Sequence, residues 1–351
     1  MLLLSKLHSG WSQTDEVSPS YREVVDNAMT GHEWLRRTMG DACPNSRCVR
    51  FGWQIDMFSG YSKTTPQLWA MMGYDGMVIR FEGPDDMRQQ WGEDQAFEFL
   101  WVGGETVPAE RVEILTHVLR WNYCDMLESC VAPSCTDPSR APALPLAFSS
   151  PVLTSHDVVV KYAHSLVDWA RASLPVYQGP FLAAWGCDFQ FTNATMWFDQ
   201  MDLLIQEISS NPDVYNATVQ YSTLANYFDA LHAFNLTFPR KTNVDCEFGW
   251  PHEWMMGSTG NVSVQYQTGA PSSWASHKRH IRRTASLTRA AATLHARALA
   301  DTLLPHSRAD DFMVAWDANG VCTHHDSVPG TMMNSASLDG SCPRVMALLN
   351  A

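Results

Sequence analysis

The 351-residue chain carries 24 basic and 37 acidic side chains, which gives a formal net charge of −13 at pH 7. This excess of acid argues against a nucleic-acid backbone or an anionic membrane surface as the principal partner. With 45% hydrophobic and 17% charged residues, the chain can bury a sizeable core, which excludes disorder as its main state. No apolar run approaches the roughly 20 residues of a membrane-spanning helix. The length predicts one large domain with an appended piece.

Helix-like and strand-like segments alternate from about residue 18 to residue 250. The predicted helices cover residues 20–39, 65–72, 156–171, 197–208 and 224–231. The predicted strands cover residues 49–55, 77–79, 97–102, 181–185 and 219–221. This alternation predicts an α/β fold with a mostly parallel sheet and helices on its faces.

Three polar residues follow predicted strands. Asp56 comes after one strand, Arg80 after another and Asp188 after a third. Because parallel sheets hold their sites at the carboxyl ends of the strands, these residues are candidates for a common site. Taken one at a time, each is also a common helix-capping or salt-bridging residue.

The character of the chain changes after residue 250, so we predict two domains, residues 1–250 and residues 251–351. Residues 257–271 are rich in Gly, Ser and Thr, and residues 274–304 and 308–316 read as helices. A turn predicted at residues 317–320 precedes His324, His325 and Asp326. Imidazole and carboxylate are good zinc ligands, although such a tripeptide is also typical of a solvated polar loop.

Signals of cellular compartment point in two directions. Four Asn-x-Ser/Thr sequons begin at Asn193, Asn216, Asn235 and Asn261, and the nine cysteines include Cys130 and Cys135 at a spacing that a disulfide can close. These features favour a secretory or lysosomal protein. Residues 1–6 are nevertheless too short an apolar stretch for a signal peptide, and a missing N-terminus would reconcile the two observations.

Several motifs, in order along the chain, resemble those of the glycoside hydrolase family 38 α-mannosidases. Residues 52–58, Gly-Trp-Gln-Ile-Asp-Met-Phe, resemble the nucleophile motif of the family. Residues 186–190, Gly-Cys-Asp-Phe-Gln, are similar to the acid/base motif, and residues 324–331 are similar to the family's His-His-Asp segment. The lysosomal, acid-type enzymes are the nearest in pattern, and they share the spacing of Cys130 and Cys135.

The resemblance implies a zinc-assisted retaining α-mannosidase that removes terminal α-linked mannose from N-glycan-type oligosaccharides in the lysosome or secretory pathway. Asp56 would be the nucleophile and a zinc ligand, Asp188 the general acid/base, and His325 a second zinc ligand. Retaining catalysis implies that the two carboxyl groups lie about 5–5.5 Å apart. The substrate-binding residues implied by the resemblance are Phe58, Arg80, Tyr123 and Asp326.

Three departures from the family pattern stand out. The opening His-x-Asp-x-Gly-Trp motif, which carries two more zinc ligands, is expected well before Gly10, so that this chain is expected to begin too late to contain it. The chain is also expected to lack the first strand of the sheet and to end within a helical bundle. With only two of four ligands, zinc binding and turnover are expected to be weak. Tyr61 stands where the family usually has a histidine.

Two other functions are compatible with the residues. A catalytically inactive relative that binds mannosides or another protein would keep the fold without the full ligand set. A zinc-dependent hydrolase acting on peptides or on acetylated sugars is a third reading, but it lacks a three-ligand motif. The sequence leaves the formation of a homo-oligomer open.

Overall fold

The computed structural model describes residues 10–40, 49–55, 61–81, 85–103, 112–120, 153–184, 193–242, 272, 274–303 and 309–331, without the side chains of residues 85–87 and 309. Within these ranges, nine helices and a five-stranded, mostly parallel sheet form a mixed α/β fold. The predicted fold class is therefore confirmed at this level. No helix of the described ranges is both long and apolar enough to cross a membrane.

Helices and strands are interspersed along the described ranges. The helices are α1 Tyr21–Met39, α2 Thr64–Met71, α3 Asp85–Glu93, α4 His156–Ser173, α5 Ala194–Ser210, α6 Pro212–Tyr215, α7 Leu224–Ala233, α8 Ala275–Ala300 and α9 Ala309–Cys322. The strands are β1 Phe51–Gln54, β2 Gly76–Arg80, β3 Glu98–Val102, β4 Glu113–Leu119 and β5 Arg240–Lys241. Their order in the sheet is β1-β2-β4-β3-β5.

Strands β1 and β2 are parallel neighbours and end at the same edge of the sheet. Their register pairs Phe51 with Gly76 and Gln54 with Ile79. The chain therefore leaves β1 through Ile55 at the edge where β2 ends in Arg80. This is the sheet edge at which parallel α/β folds place their functional groups.

Sequence periodicity predicted most of the elements in these ranges. Helix α1 begins as expected after Ser20, which forms a capping box with Glu23. The structure also contains α3, β4, α6 and β5, for which no element was predicted. The domain boundary at residue 250 lies outside the described residues and stays a prediction.

Two predicted strands are wrong. Residues 181–184 and 219–221 have no strand structure. Their apolar side chains instead pack against helices: Phe181 and Val219 both contact the buried cluster of α4 and α5, and the Phe181 ring meets Trp169 edge to face at 4.6 Å. A short apolar run that covers helices has the same composition as a buried strand.

The predicted turn at residues 317–320 is also wrong, because these residues belong to α9. Gly320 serves close packing rather than a turn. A Cβ atom at this position would lie 2.8 Å from Cδ1 of Trp11. The glycine is therefore required for the approach of the Trp11 ring to the helix.

The described residues fall into two compact units. The first takes residues from Met1–Pro84, Leu100–Thr116 and Arg240–Ala351, and the second from Asp85–Phe99 and His117–Pro239. In the second unit, the buried core is formed by α4 and α5 around Trp169, Trp197 and Leu204. The described residues of the candidate site lie in the first unit.

In the first unit, β1 lies directly against α2. Trp69 of α2 is 1% exposed, and a Cβ atom built on Gly52 of β1 would lie 1.2 Å from its Cζ3 atom. The Trp69 ring thus occupies the space that any other residue at position 52 would fill. Strand β2 completes this core with Met77, Val78 and Ile79, all fully buried.

We predict that Gly52→Ala lowers the free energy of unfolding by at least about 3 kcal/mol, because the methyl group overlaps the Trp69 ring in a closely packed core. Gly92→Ala is the matched control. Its added Cβ has no neighbour closer than 3.6 Å, and in helix α3 the exchange should stabilise by about 0.5–1 kcal/mol. Urea unfolding of both variants measures the difference. Equal stabilities would contradict the packing described for β1 and α2.

Candidate active site

A short extended segment, Gln13 and Thr14, lies between the end of β1 and the loop that follows α9. On one side, the Gln13 side-chain amide donates to the carbonyl of Ile55, and the Gln54 side-chain amide donates to the carbonyl of Thr14 at 2.8 Å. On the other side, the backbone N–H of His325 donates to the carbonyl of Gln13 at 2.8 Å. Thr14 also forms an antiparallel bridge with His324.

This segment brings parts of the chain that are about 270 residues apart into one site. His325 is separated from Ile55 by one hydrogen-bonded strand segment. Ile55 is the residue immediately before Asp56. The His-His-Asp sequence therefore lies beside the carboxyl end of β1.

Asn27 on α1 fixes the segment from behind. Its side chain is 2% exposed and accepts a hydrogen bond from the Ser12 N–H at 3.2 Å. Its amide nitrogen lies 3.0 Å from the Gly320 carbonyl and 3.0 Å from the Thr323 hydroxyl. A single buried amide thus joins α1, the segment before it and the end of α9, and all of its polar atoms are satisfied.

The three residues of the His-His-Asp sequence form a compact group of potential metal ligands. One ligand atom from each of His324, His325 and Asp326 lies within 4.8 Å of the other two. Nε2 of His324 lies 3.1 Å from the Asp326 carboxylate, and Nε2 of His325 lies 3.7 Å from it. His325 is the most buried of the three, with a side chain 12% exposed.

The donor set fits zinc, and the His325 ring is oriented for ligation. Its Nδ1 lies 3.4 Å from the Gln13 carbonyl. When Nδ1 carries the proton and donates to this carbonyl, Nε2 bears the lone pair that a metal requires. Nδ1 of His324 is buried and has no hydrogen-bond partner among the described residues. Imidazole nitrogen and carboxylate oxygen are the donors that zinc takes in catalytic sites.

The Asp326 carboxylate is held in its ionised form. The hydrogen bond from His324 lowers the pKa of Asp326 most. Electrostatic attraction to His325, when that ring is protonated, and the hydrogen bond from the Thr331 hydroxyl lower it further. Thr331 donates to Asp326 at 3.0 Å. An ionised, oriented carboxylate can accept a hydrogen bond from a hydroxyl group or bind a cation.

The first turn of α8 supports the loop that carries these residues. The Lys278 ammonium group is buried and donates to the Val328 carbonyl at 2.8 Å. Nε2 of His277 lies 3.3 Å from the Ser327 hydroxyl. Around these contacts, Val17, Ile281, Cys322 and Val328 form a small buried hydrophobic cluster.

The end of β2 completes the described part of the sheet edge. Arg80 is half-buried, and its backbone N–H donates to the Tyr61 hydroxyl at 3.0 Å. The same hydroxyl donates to the Gln54 carbonyl at 3.1 Å. Tyr61 thus links the ends of β1 and β2 at the sheet edge.

Of the residues predicted for the site, three are described. His325 and Asp326 are brought together, and Arg80 lies at the edge where β1 also ends. The other predicted residues lie outside the described residues: Asp56, Phe58, Tyr123 and Asp188, together with Cys130 and Cys135.

Sequence reasoning missed three residues that organise the site. Asn27 interrupts the apolar side of α1, one position before Ala28, and a polar residue on such a stripe is a usable signal of a buried hydrogen bond. Gln13 and Lys278 give no such signal. Their partners, Ile55 and Val328, are main-chain carbonyl groups, which no side-chain pattern reveals.

A second carboxyl group close to the segment has a strongly raised pKa. Glu16 accepts a hydrogen bond from the Thr65 hydroxyl at 2.6 Å. Withdrawal from water raises the pKa of Glu16 from 4.5 to about 8, with a smaller contribution from the negative charge of Asp15. The carboxyl group is therefore protonated in the folded protein at mildly acidic pH.

Comparison of the sequence with known proteins identifies a family. Residues 4–249 match the family model described as the glycosyl hydrolases family 38 N-terminal domain. The chain is 27% identical over 341 residues to a lysosomal alpha-mannosidase of Dictyostelium discoideum, covering 93% of this chain and 30% of that protein. It is 29% identical over 342 residues to the human epididymis-specific alpha-mannosidase, covering 90% of this chain and 31% of that protein. The chain thus spans about a third of the length of these relatives.

The raised pKa of Glu16 predicts a specific pH dependence of stability. Between pH 4.5 and about 8, the folded protein keeps a proton that the unfolded chain releases, so the free energy of unfolding falls as the pH rises. In Glu16→Gln this contribution is absent. We therefore expect the wild type to lose stability relative to Glu16→Gln as the pH rises through this range. Urea unfolding of both proteins at pH 4.5 to 8.5 measures the difference.

Glu93→Gln, at an exposed position on α3, is the control for the loss of one carboxyl group. Its stability difference from the wild type should change little over the same pH range. A Glu16→Gln curve that runs parallel to the wild-type curve would show that Glu16 titrates normally in the folded protein.

Proposed function

Because the chain belongs to the family 38 glycosyl hydrolases, we propose that it hydrolyses terminal α-linked mannose of N-glycan-type oligosaccharides by a retaining double displacement. The substrate class follows from the relatives, which are named alpha-mannosidases. The observation that carries the proposal is the link from His325 and Asp326 through Gln13 to Ile55. This link supports a common site for the His-His-Asp sequence and the proposed nucleophile next to Ile55.

In this proposal, two carboxyl groups divide the chemistry. Asp56 attacks the anomeric carbon and forms the covalent glycosyl intermediate, while Asp188 protonates the departing glycosidic oxygen. Asp188 then removes a proton from the water that releases the mannose. This double displacement retains the configuration of the sugar and requires the two carboxyl groups to lie about 5–5.5 Å apart.

The other site residues bind and orient the substrate. Asp326, held ionised by His324, accepts a hydrogen bond from a sugar hydroxyl group. Arg80 contributes from the end of β2, and Phe58 and Tyr123 line the pocket. Holding the sugar in one orientation against Asp56 removes much of the entropic cost of the reaction.

We propose that His325 and Asp56 hold a zinc ion. Bound zinc supplies a Lewis acid that anchors sugar hydroxyl groups. His325 is suited to this role by the contact of its Nδ1 with the Gln13 carbonyl.

A third candidate ligand comes from the segment before Gly10. Residues 6–11 read Lys-Leu-His-Ser-Gly-Trp and lie in the region that the family model matches. Gly10 and Trp11 coincide with the last two residues of the family's His-x-Asp-x-Gly-Trp motif when the motif is aligned here instead of well before Gly10, as was expected from the sequence. In this register His8 stands at the second ligand position, whereas Lys6, protonated at neutral pH, replaces the first. His8 is a zinc ligand of ordinary chemistry, and a site lacking the fourth protein ligand binds the metal less tightly.

The proposed compartment is the lysosome or the secretory pathway. Two of the relatives, from Dictyostelium discoideum and from human, are named lysosomal alpha-mannosidase. Three of the four sequon asparagines, Asn193, Asn216 and Asn235, have exposed side chains. Exposure is what glycan attachment requires.

The proposal predicts zinc-dependent turnover of an aryl α-mannoside at acidic pH. We expect activity to increase with added zinc, because the metal is held by an incomplete ligand set. Asp56→Ala and Asp188→Ala should each lower kcat by at least about 1,000-fold, since each removes a group that reacts with substrate. His325→Ala and His8→Ala should lower the zinc content measured by elemental analysis.

Asp75→Ala is the matched control for loss of a carboxylate. Asp75 precedes β2, at the opposite end from Arg80, and pairs with Arg50 at 2.6 Å. This variant should keep the wild-type kcat. If the wild type binds an α-mannoside but shows no turnover at saturating zinc, the retaining hydrolase is excluded and the inactive mannoside-binding relative is favoured.

A further inference from the structure

Tyr61 is a buried tyrosine whose hydroxyl group contacts only main-chain atoms among its described hydrogen bonds. Its side chain is 1% exposed. The hydroxyl donates to the Gln54 carbonyl at 3.1 Å and accepts from the Arg80 N–H at 3.0 Å. It therefore joins the last residue of β1 to the last residue of β2.

The Tyr61 hydroxyl links β1 and β2 just beyond the point where their main-chain pairing ends. The register of β1 and β2 stops at Gln54 opposite Ile79. One residue further on, the Tyr61 hydroxyl takes the place of the next main-chain partner for Arg80. The distance between the two strand ends is then set by a side chain rather than by a direct main-chain hydrogen bond.

The Tyr61 ring is itself held in place. It meets the ring of Trp101 on β3 edge to face, with centroids 6.3 Å apart and an interplanar angle of 84°. Trp101 is fully buried. A hydroxyl group on an immobilised aromatic ring fixes its two partners more firmly than one on a flexible side chain.

We propose that Tyr61 is a positioning residue that sets the spacing between Arg80 and the chain leaving β1 at Ile55. The inference rests on the proposed function, in which Asp56 follows Ile55 and Arg80 contacts the substrate. Tyr61 does not touch the substrate. It acts by fixing the main chain on either side of the reacting centre, where a displacement of about 1 Å can cost roughly 100-fold in rate.

The test compares Tyr61→Phe with Tyr74→Phe. Tyr61→Phe keeps the ring against Trp101 and removes only the bridging hydroxyl. Tyr74→Phe also removes a buried hydroxyl group of the first unit, one that hydrogen-bonds His32 at 2.8 Å, but it leaves the strand ends unchanged. Both variants are assayed with saturating zinc, well below the lower of their two Tm values.

We expect Tyr61→Phe to lower kcat on an aryl α-mannoside by about 10- to 100-fold, with KM within threefold of the wild type. Exchange of the Arg80 amide hydrogen, measured by NMR, should accelerate at least tenfold. Tyr74→Phe should leave kcat, KM and Arg80 exchange within threefold. If Tyr61→Phe matches Tyr74→Phe in kcat and in Arg80 exchange, the positioning role is overturned.

The Arg80 measurement separates this inference from the proposed function. If the wild type has no mannosidase activity, the proposed function fails, and the exchange rate alone decides the bridge. Accelerated exchange in Tyr61→Phe then confirms that the hydroxyl fixes the end of β2. Unchanged exchange refutes it.

Discussion

The pairing of Gln13 and Thr14 with two distant parts of the chain is the contact on which the candidate site depends. At the end of β1, the Gln13 side-chain amide donates to the Ile55 carbonyl, and the Gln54 side-chain amide donates to the Thr14 carbonyl. His325 then binds the other side of the same segment. Because main-chain and amide groups buried together must satisfy one another, this arrangement fixes His325 relative to Ile55 through the segment between them.

The segment in turn depends on close packing against two helices. Asn27 of α1 binds Ser12, Gly320 and Thr323, and Gly320 leaves room for the Trp11 ring. A buried amide with all its hydrogen bonds made is stabilising, but loss of the amide leaves its buried partners unsatisfied at a cost of about 1–3 kcal/mol each. The geometry of the His-His-Asp group is thus tied to residues outside that group. Lys278 supports the same loop from α8.

Local patterns were sufficient to predict α1, α2, β1 and β2, because apolar periodicity and the Ser20 cap are encoded within each segment. The errors at Phe181 and Val219 arose where an apolar run packs against helices, which composition cannot distinguish from a strand. His325 was placed in the site by family resemblance, since its residue type alone equally fits a polar loop. The roles of Gln13, Asn27 and Lys278 could not be predicted, because each depends on a carbonyl or hydroxyl group far away in the sequence.

The first unit combines three separate stretches of the chain, and this determines when it can fold during synthesis. Its site needs residues 13, 55 and 325 together, so the hydrogen bonds around Gln13 cannot all form until residue 325 has left the ribosome. Contacts of such long sequence separation are slow to form. Until then, the end of β1 and the buried face of α1 remain exposed in the nascent chain, and a chaperone that shields apolar surface would act most usefully in this interval.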